Sequence, residues 1–110
     1  MVKPVAGEIV VIPFSRADGS GEKRRPALVI ADLPGADLIL CQITSRGHWD
    51  SFAVPLDKSD CERGGMDQPC FIRPQRLFTL EQHVCLRSVG KVTPAKFDEV
   101  FKKVRGLLVD

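Results

Sequence analysis

The sequence predicts a mainly β chain ending in a single C-terminal helix, and three features predict it. Short apolar, β-branched runs recur between residues 8 and 80, separated by polar segments that carry Gly or Pro. One run, Ala27-Leu28-Val29-Ile30-Ala31, is apolar throughout, as expected of a central strand buried on both faces. Beyond Thr93 the period changes: Phe97, Val100, Phe101, Val104 and Leu108 recur at helical spacing.

The elements follow in order. Residues 8–14 read as the first strand. Residues 15–24 hold two glycines, Asp18 and Ser20, and read as a mobile loop. Residues 26–31 form the second strand, with Pro26 at its start, where a missing N–H does least harm. Leu33 to Asp37 is a turn, and Leu38 to Thr44 a third strand. Residues 45–50 form a polar loop, and 51–56 a shorter strand. Residues 57–68, with Gly64-Gly65, read as a second long loop. Cys70 to Arg73 is a short strand that Pro74 interrupts, and extended structure resumes at Leu77 to Leu80. Thr93 and Pro94 suit the N-cap and first position of the helix. Lys96, Asp98, Glu99, Lys102, Lys103 and Arg105 make its polar side. Several short strands and one terminal helix suggest a small, strongly bent barrel of the SH3 type.

At 110 residues the chain is expected to be one domain, 1–110, able to bury a core without staples. Net charge is only +2, which argues against a polycation that coats nucleic acid. The cations are grouped instead, as Lys23-Arg24-Arg25 and as Arg73 with Arg76. No two of the four cysteines have zinc-ligand spacing, so no metal site is expected. Cys41 and Cys85 sit in apolar runs and read as core, whereas Cys61 and Cys70 flank a Gly-rich loop and read as candidates for exposure. A Cys61–Cys70 disulfide would need a secreted protein, which nothing else here suggests. There is neither a signal-peptide h-region nor an apolar run approaching the roughly 20 residues of a membrane span. A cytoplasmic protein with no membrane association and no cofactor is the simplest expectation.

Read in order, Gly7-Glu8-Ile9-Val10, the Gly-rich loop ending in Arg25-Pro26, the strand to Ala31, Leu40-Cys41-Gln42-Ile43-Thr44-Ser45, Ile72-Arg73-Pro74-Gln75-Arg76-Leu77-Phe78-Thr79-Leu80 and Val89-Gly90-Lys91-Val92 span most of the chain. This ordered set resembles the MazF/PemK family of toxin ribonucleases. The resemblance implies an SH3-like barrel with a C-terminal helix, working as a homodimer. It implies metal-independent cleavage of single-stranded RNA at a short sequence. It also implies a cognate antitoxin whose disordered acidic tail covers the cleft.

Metal-free RNA cleavage uses the substrate's 2′-hydroxyl as nucleophile, so the protein must stabilise the phosphoryl transition state and move protons. Arg25 matches the family's arginine before proline, and its guanidinium can grip a phosphate with two parallel hydrogen bonds. Its permanent charge suits stabilisation better than proton transfer. Thr44 matches the family's strand-end hydroxyl, which can donate and accept beside the scissile phosphate, and Ser45 could share that work. For Thr44 the competing role is a bond to backbone. Arg73 matches an arginine used by PemK-type members, with a structural ion pair as the alternative. Some of those members use an Asp two residues later and a His in the first loop. Here Gln75 stands at the Asp position and the first loop has no His, so that acid–base scheme does not transfer.

His48 titrates in the right range and adjoins Trp49, a stacking partner for an unpaired base; an exposed loop histidine is the competing reading. His83, near Val84 and Cys85, reads as structural. Lys23, Arg24, Arg46, Gln75 and Arg76 are candidates for tracking the RNA. A protein of another class remains open, a non-catalytic RNA- or protein-binding member of the same fold, such as a gyrase-targeting toxin.

Overall fold

β1 (Glu8–Ser15) opens a series continued by β2 (Glu22–Asp32), β3 (Asp37–Thr44), β4 (Val54–Leu56), β5 (Cys61–Gly64), β6 (Cys70–Glu81), β7 (Arg87–Val92) and the helix α1 (Pro94–Leu108). These elements come from a computed structural model that describes residues 2–16, 18–45 and 50–109. Among the described residues the strands form one seven-stranded sheet in the order β4-β6-β3-β2-β1-β7-β5. Every neighbouring pair is antiparallel. The sheet curls into a half-barrel, as the sequence led us to expect.

Alternation along the strands gives each sheet face its own core. Ile9, Leu28, Cys41, Ile43, Val54, Leu56, Ile72 and Val92 turn toward α1 and pack with Val100 and Val104. Their chain neighbours Val10, Ala27, Val29, Leu38 and Leu40, with Ile12 and Cys85, form a second cluster bordered by Phe14, Phe78 and Leu80. The inner parts of β2 and β3 feed both clusters, which is why Ala27–Ile30 and Leu38–Cys41 show no polar face.

Thr93 caps α1, its hydroxyl accepting from the Lys96 N–H at 3.2 Å. Lys96 Nζ donates to the Pro55 carbonyl at 3.0 Å, and Lys103 Nζ to the Ser51 carbonyl at 2.9 Å, so the helix is tied to the β4 region. The apolar stripe is narrower than its spacing suggested. Val100 and Val104 are buried, but Phe101 and Leu108 are exposed by 39% and 76%.

Four local expectations are corrected. β2 begins at Glu22, inside the expected loop, because the polar segment Glu22–Arg25 pairs with β1. The 57–68 loop contains β5, an edge strand paired only with β7; a short polar edge leaves no apolar alternation to read. β6 runs unbroken through Pro74, which falls in a bulge: the register passes from Leu77 opposite Cys41 to Arg73 opposite Gln42, leaving residues 74–76 looped between. Cys70 is buried rather than exposed, and all four thiols are free.

Candidate active site

The site is a fork in the sheet. β2 pairs with β3 only from Ala27 opposite Gln42 onward. Before Ala27, β2 stays with β1 as far as Ser15 opposite Glu22. Past Gln42, β3 stays with β6 as far as Thr44 opposite Phe71. The two ladders therefore part, and a cleft of about 660 Å³ opens beside the fork.

One wall is the β1–β2 arm, contributing Phe14, Ser15, Arg16, Asp18, Lys23 and Arg25; the other comes from Gln42 and Arg76. Four cations meet one carboxylate there. Among the described residues, none of Arg16, Lys23, Arg25 and Arg76 forms an ion pair. Asp18 is engaged locally, with Oδ1 accepting from the Ser20 hydroxyl at 2.6 Å and the Ser20 N–H at 2.9 Å. Those two bonds hold its carboxyl below the usual range, so it stays ionised. A cleft of mostly unpaired cations is poised for a polyanion.

Arg25 and Thr44 each lie two residues past the Ala27–Gln42 pair, on opposite prongs of the fork. The two-residue side-chain period puts both on the face that carries Ala27 and Gln42. Arg25 lines the cleft; Thr44, only 8% exposed, sits deeper and is not among the lining residues. Ser45, just past the end of β3, is exposed.

Arg24 alternates to the opposite face. It borders a second groove of about 280 Å³ with Val11, Pro26, Met66, Asp67, Arg87 and Val89, a groove that Arg25 also lines; Arg24 itself is not among the residues that line the cleft.

Arg73 and Gln75 are held away from the cleft lining by a residue the sequence reading did not single out, Asp50. Asp50 Oδ2 lies 3.7 Å from Arg73 Nη2 and accepts from Gln75 Nε2 at 3.2 Å. Its Oδ1 accepts from the Phe52 and Ala53 N–H groups at 2.8 and 2.7 Å. Burial alone would raise the Asp50 pKa; the Ala53 and Phe52 N–H groups, Gln75 and Arg73 outweigh it and bring it below the usual value. Arg73 Nε and Gln75 Oε1 are buried with no hydrogen-bond partner among the described residues. The only advance signal for Asp50 was an Asp opening a short segment before Phe52-Ala53, which suits an Asx turn.

His83 is a correction too: its side chain is 73% exposed, 3.3 Å from Glu81 Oε2. Arg46, His48 and Trp49 lie outside the described residues. Among the described residues no group of three His, Cys, Asp or Glu side chains could hold a metal ion, and no helix is long and apolar enough to cross a membrane.

Comparison with solved structures shows the same fold in several MazF structures. MazF from Deinococcus radiodurans superposes with a TM-score of 0.75 at 23% identity, covering 98% of each chain. A MazE–MazF structure from the same organism gives 0.73 at 23% identity over 98% of this chain and 97% of that one. An endoribonuclease in complex with its cognate antitoxin, from Mycobacterial species, gives 0.72 at 19% identity over 96% and 94%. No curated protein sequence matches. The family described as "PemK-like, MazF-like toxin of type II toxin-antitoxin system" matches residues 6–108, nearly the whole chain. The chain belongs to that family of PemK-like, MazF-like toxins.

Proposed function

We propose that this toxin is a metal-independent endoribonuclease that cleaves single-stranded RNA by attack of the substrate's own 2′-hydroxyl. The observation that carries the reading is the fork, where unpaired Arg16, Lys23, Arg25 and Arg76 surround one open cleft. A strand threading the cleft would meet fixed positive charge along its backbone. Arg25, anchored in the β1–β2 ladder by its register with Ile12, offers two parallel N–H donors to the scissile phosphate. Such positioned donors act most strongly on the charge that develops in the transition state. Thr44, on the same face of the other prong, supplies a hydroxyl to orient the 2′-oxygen or the phosphate.

The protein works in the cytoplasm as a homodimer and is silenced by an antitoxin with an acidic disordered tail. The excess of cations over the single Asp18 in the cleft suits such a tail. The test is digestion of a long single-stranded RNA in EDTA. The expected product carries a 2′,3′-cyclic phosphate end at a short recurring sequence. If the well-folded dimer cuts no RNA, the alternative stands: a non-catalytic RNA- or protein-binding member of the fold. Its supporting observation is that Arg73 is engaged by Asp50.

A further inference from the structure

Beside the cationic cleft lies a recess of about 380 Å³, lined by Phe14, Gln42, Arg76, Leu77 and Phe78. Phe14, Gln42 and Arg76 also line the cleft, so the two spaces are continuous. The β6 bulge makes the recess. With residues 74–76 looped out between Arg73 and Leu77, the seam beside Gln42 carries no regular ladder, and Arg76 is carried to the shared rim.

The lining differs in kind from the cleft. Phe14 and Phe78 meet edge to face, with centroids 5.7 Å apart and planes at 76°, and both are only partly buried. Such a pair leaves a corner where a flat ring can lie against one face and one edge. Gln42 brings a carboxamide that both donates and accepts, and its side chain makes no hydrogen bond among the described residues. A phosphate has no use for the acceptor oxygen of an amide. A nucleobase edge, which presents donors and acceptors side by side, uses both.

We infer that this recess seats one nucleobase of the RNA strand whose phosphate occupies the cleft, and that Gln42 reads the base's hydrogen-bonding edge. Phe14 and Phe78 hold the base by ring contact, and Arg76 spans base and backbone. The inference rests on the proposed ribonuclease reading and adds to it the residue that sets one position of the cleavage sequence.

The test is binding of the full-length chain to four short 2′-deoxy single strands, each of one base, measured by fluorescence anisotropy. The wild-type chain should rank the four strands. Gln42→Leu should compress that ranking by roughly 5- to 150-fold, the scale of losing one good base contact. Gln42→Glu keeps the shape with acceptors only, and should reorder the ranking while weakening all four. Phe14→Leu should weaken the four together, because stacking tolerates every base. Thermal melts check that each variant folds. If Gln42→Leu and Gln42→Glu leave the wild-type ranking intact, or the wild-type chain binds all four strands alike, the recess does not read a base, and a protein segment becomes its better occupant. Because 2′-deoxy strands cannot be cleaved, the two readings fail separately. Cleavage of RNA with unchanged ranking in the Gln42 variants overturns the recess alone; ranked binding without any RNA cleavage overturns the ribonuclease alone.

Discussion

Asp50 and Arg73 are joined across the β3–β6 side of the site, Oδ2 to Nη2 at 3.7 Å, with Gln75 sharing the same carboxylate oxygen. The carboxylate fixes two backbone N–H groups of its own turn. One side chain therefore organises the approach to β4 and holds the bulged strand's arginine at the same time. Asp50→Asn keeps an acceptor for the turn but removes the charge. It should lower the melting temperature by a few degrees and strengthen the salt dependence of RNA binding, since Arg73 is released toward phosphate. A salt dependence no steeper than wild type would show that Arg73 never reaches the strand.

Arg25 carries the largest single effect on cleavage. Arg25→Ala should slow it by at least about 100-fold, the scale of removing one transition-state donor. Arg25→Lys should recover only a small part, because an ammonium cannot make the paired contact. Side-chain removal at this half-buried strand position should leave the melting temperature nearly unchanged. Rapid cleavage by a folded Arg25→Ala protein would move the chemistry elsewhere.

Acid should loosen the fold in a defined window. Glu8 joins three segments: its Oε2 accepts from the Val5 N–H at 2.6 Å, and its Oε1 accepts from the Ser88 hydroxyl at 2.8 Å and from Arg63 Nη2 at 3.2 Å. Burial would raise its pKa, but the Val5 N–H, Ser88 and Arg63 outweigh burial and lower it. A depressed carboxylate contributes stability that is complete above its unfolded pKa, about 4.3, and disappears as pH falls through the folded value. Asp50 and Asp57 shift in the same direction. Melting temperature should therefore be level from about pH 7 to 5 and fall below that. Glu8→Gln should flatten the fall, and an identical slope in that variant would remove Glu8 from the account.

Gly90 marks a point of the sheet with no room for a side chain. A Cβ there would lie 2.4 Å from the Gly65 nitrogen and 2.9 Å from the Arg63 carbonyl oxygen, all of it backbone. Its partner in the ladder, Gly64, has a φ of +56°. Gly90→Ala must push β5 off β7, at about 1–3 kcal/mol, the usual scale of overpacking. For a domain of this size that is a drop on the order of 4–20 °C in melting temperature. Amide exchange should localise the loosening to β5, and protection spread evenly over the sheet would contradict the local account.

The strands that build the core announce themselves in the sequence, as does the helix that covers it. Runs such as Ala27–Ala31 and Leu38–Cys41 are apolar because each faces a core on one side or the other, and Thr93-Pro94 starts α1 by local chemistry alone. β5 and the outer half of β2 carry no such mark, since a polar strand is held by a neighbour's backbone rather than by its own pattern.

For the site, the family resemblance singled out Arg25 and Thr44 as candidates; residue type and neighbours alone fit a solvated arginine and a backbone-bonded threonine equally well. Tertiary structure decided how they relate. Which ladder each strand follows past Ala27 and Gln42, which face Arg24 takes, and that Asp50 captures Arg73 all depend on register between segments far apart in sequence. A one-residue slip in register would turn every one of these side chains to the other face, and the chain's local composition would look the same.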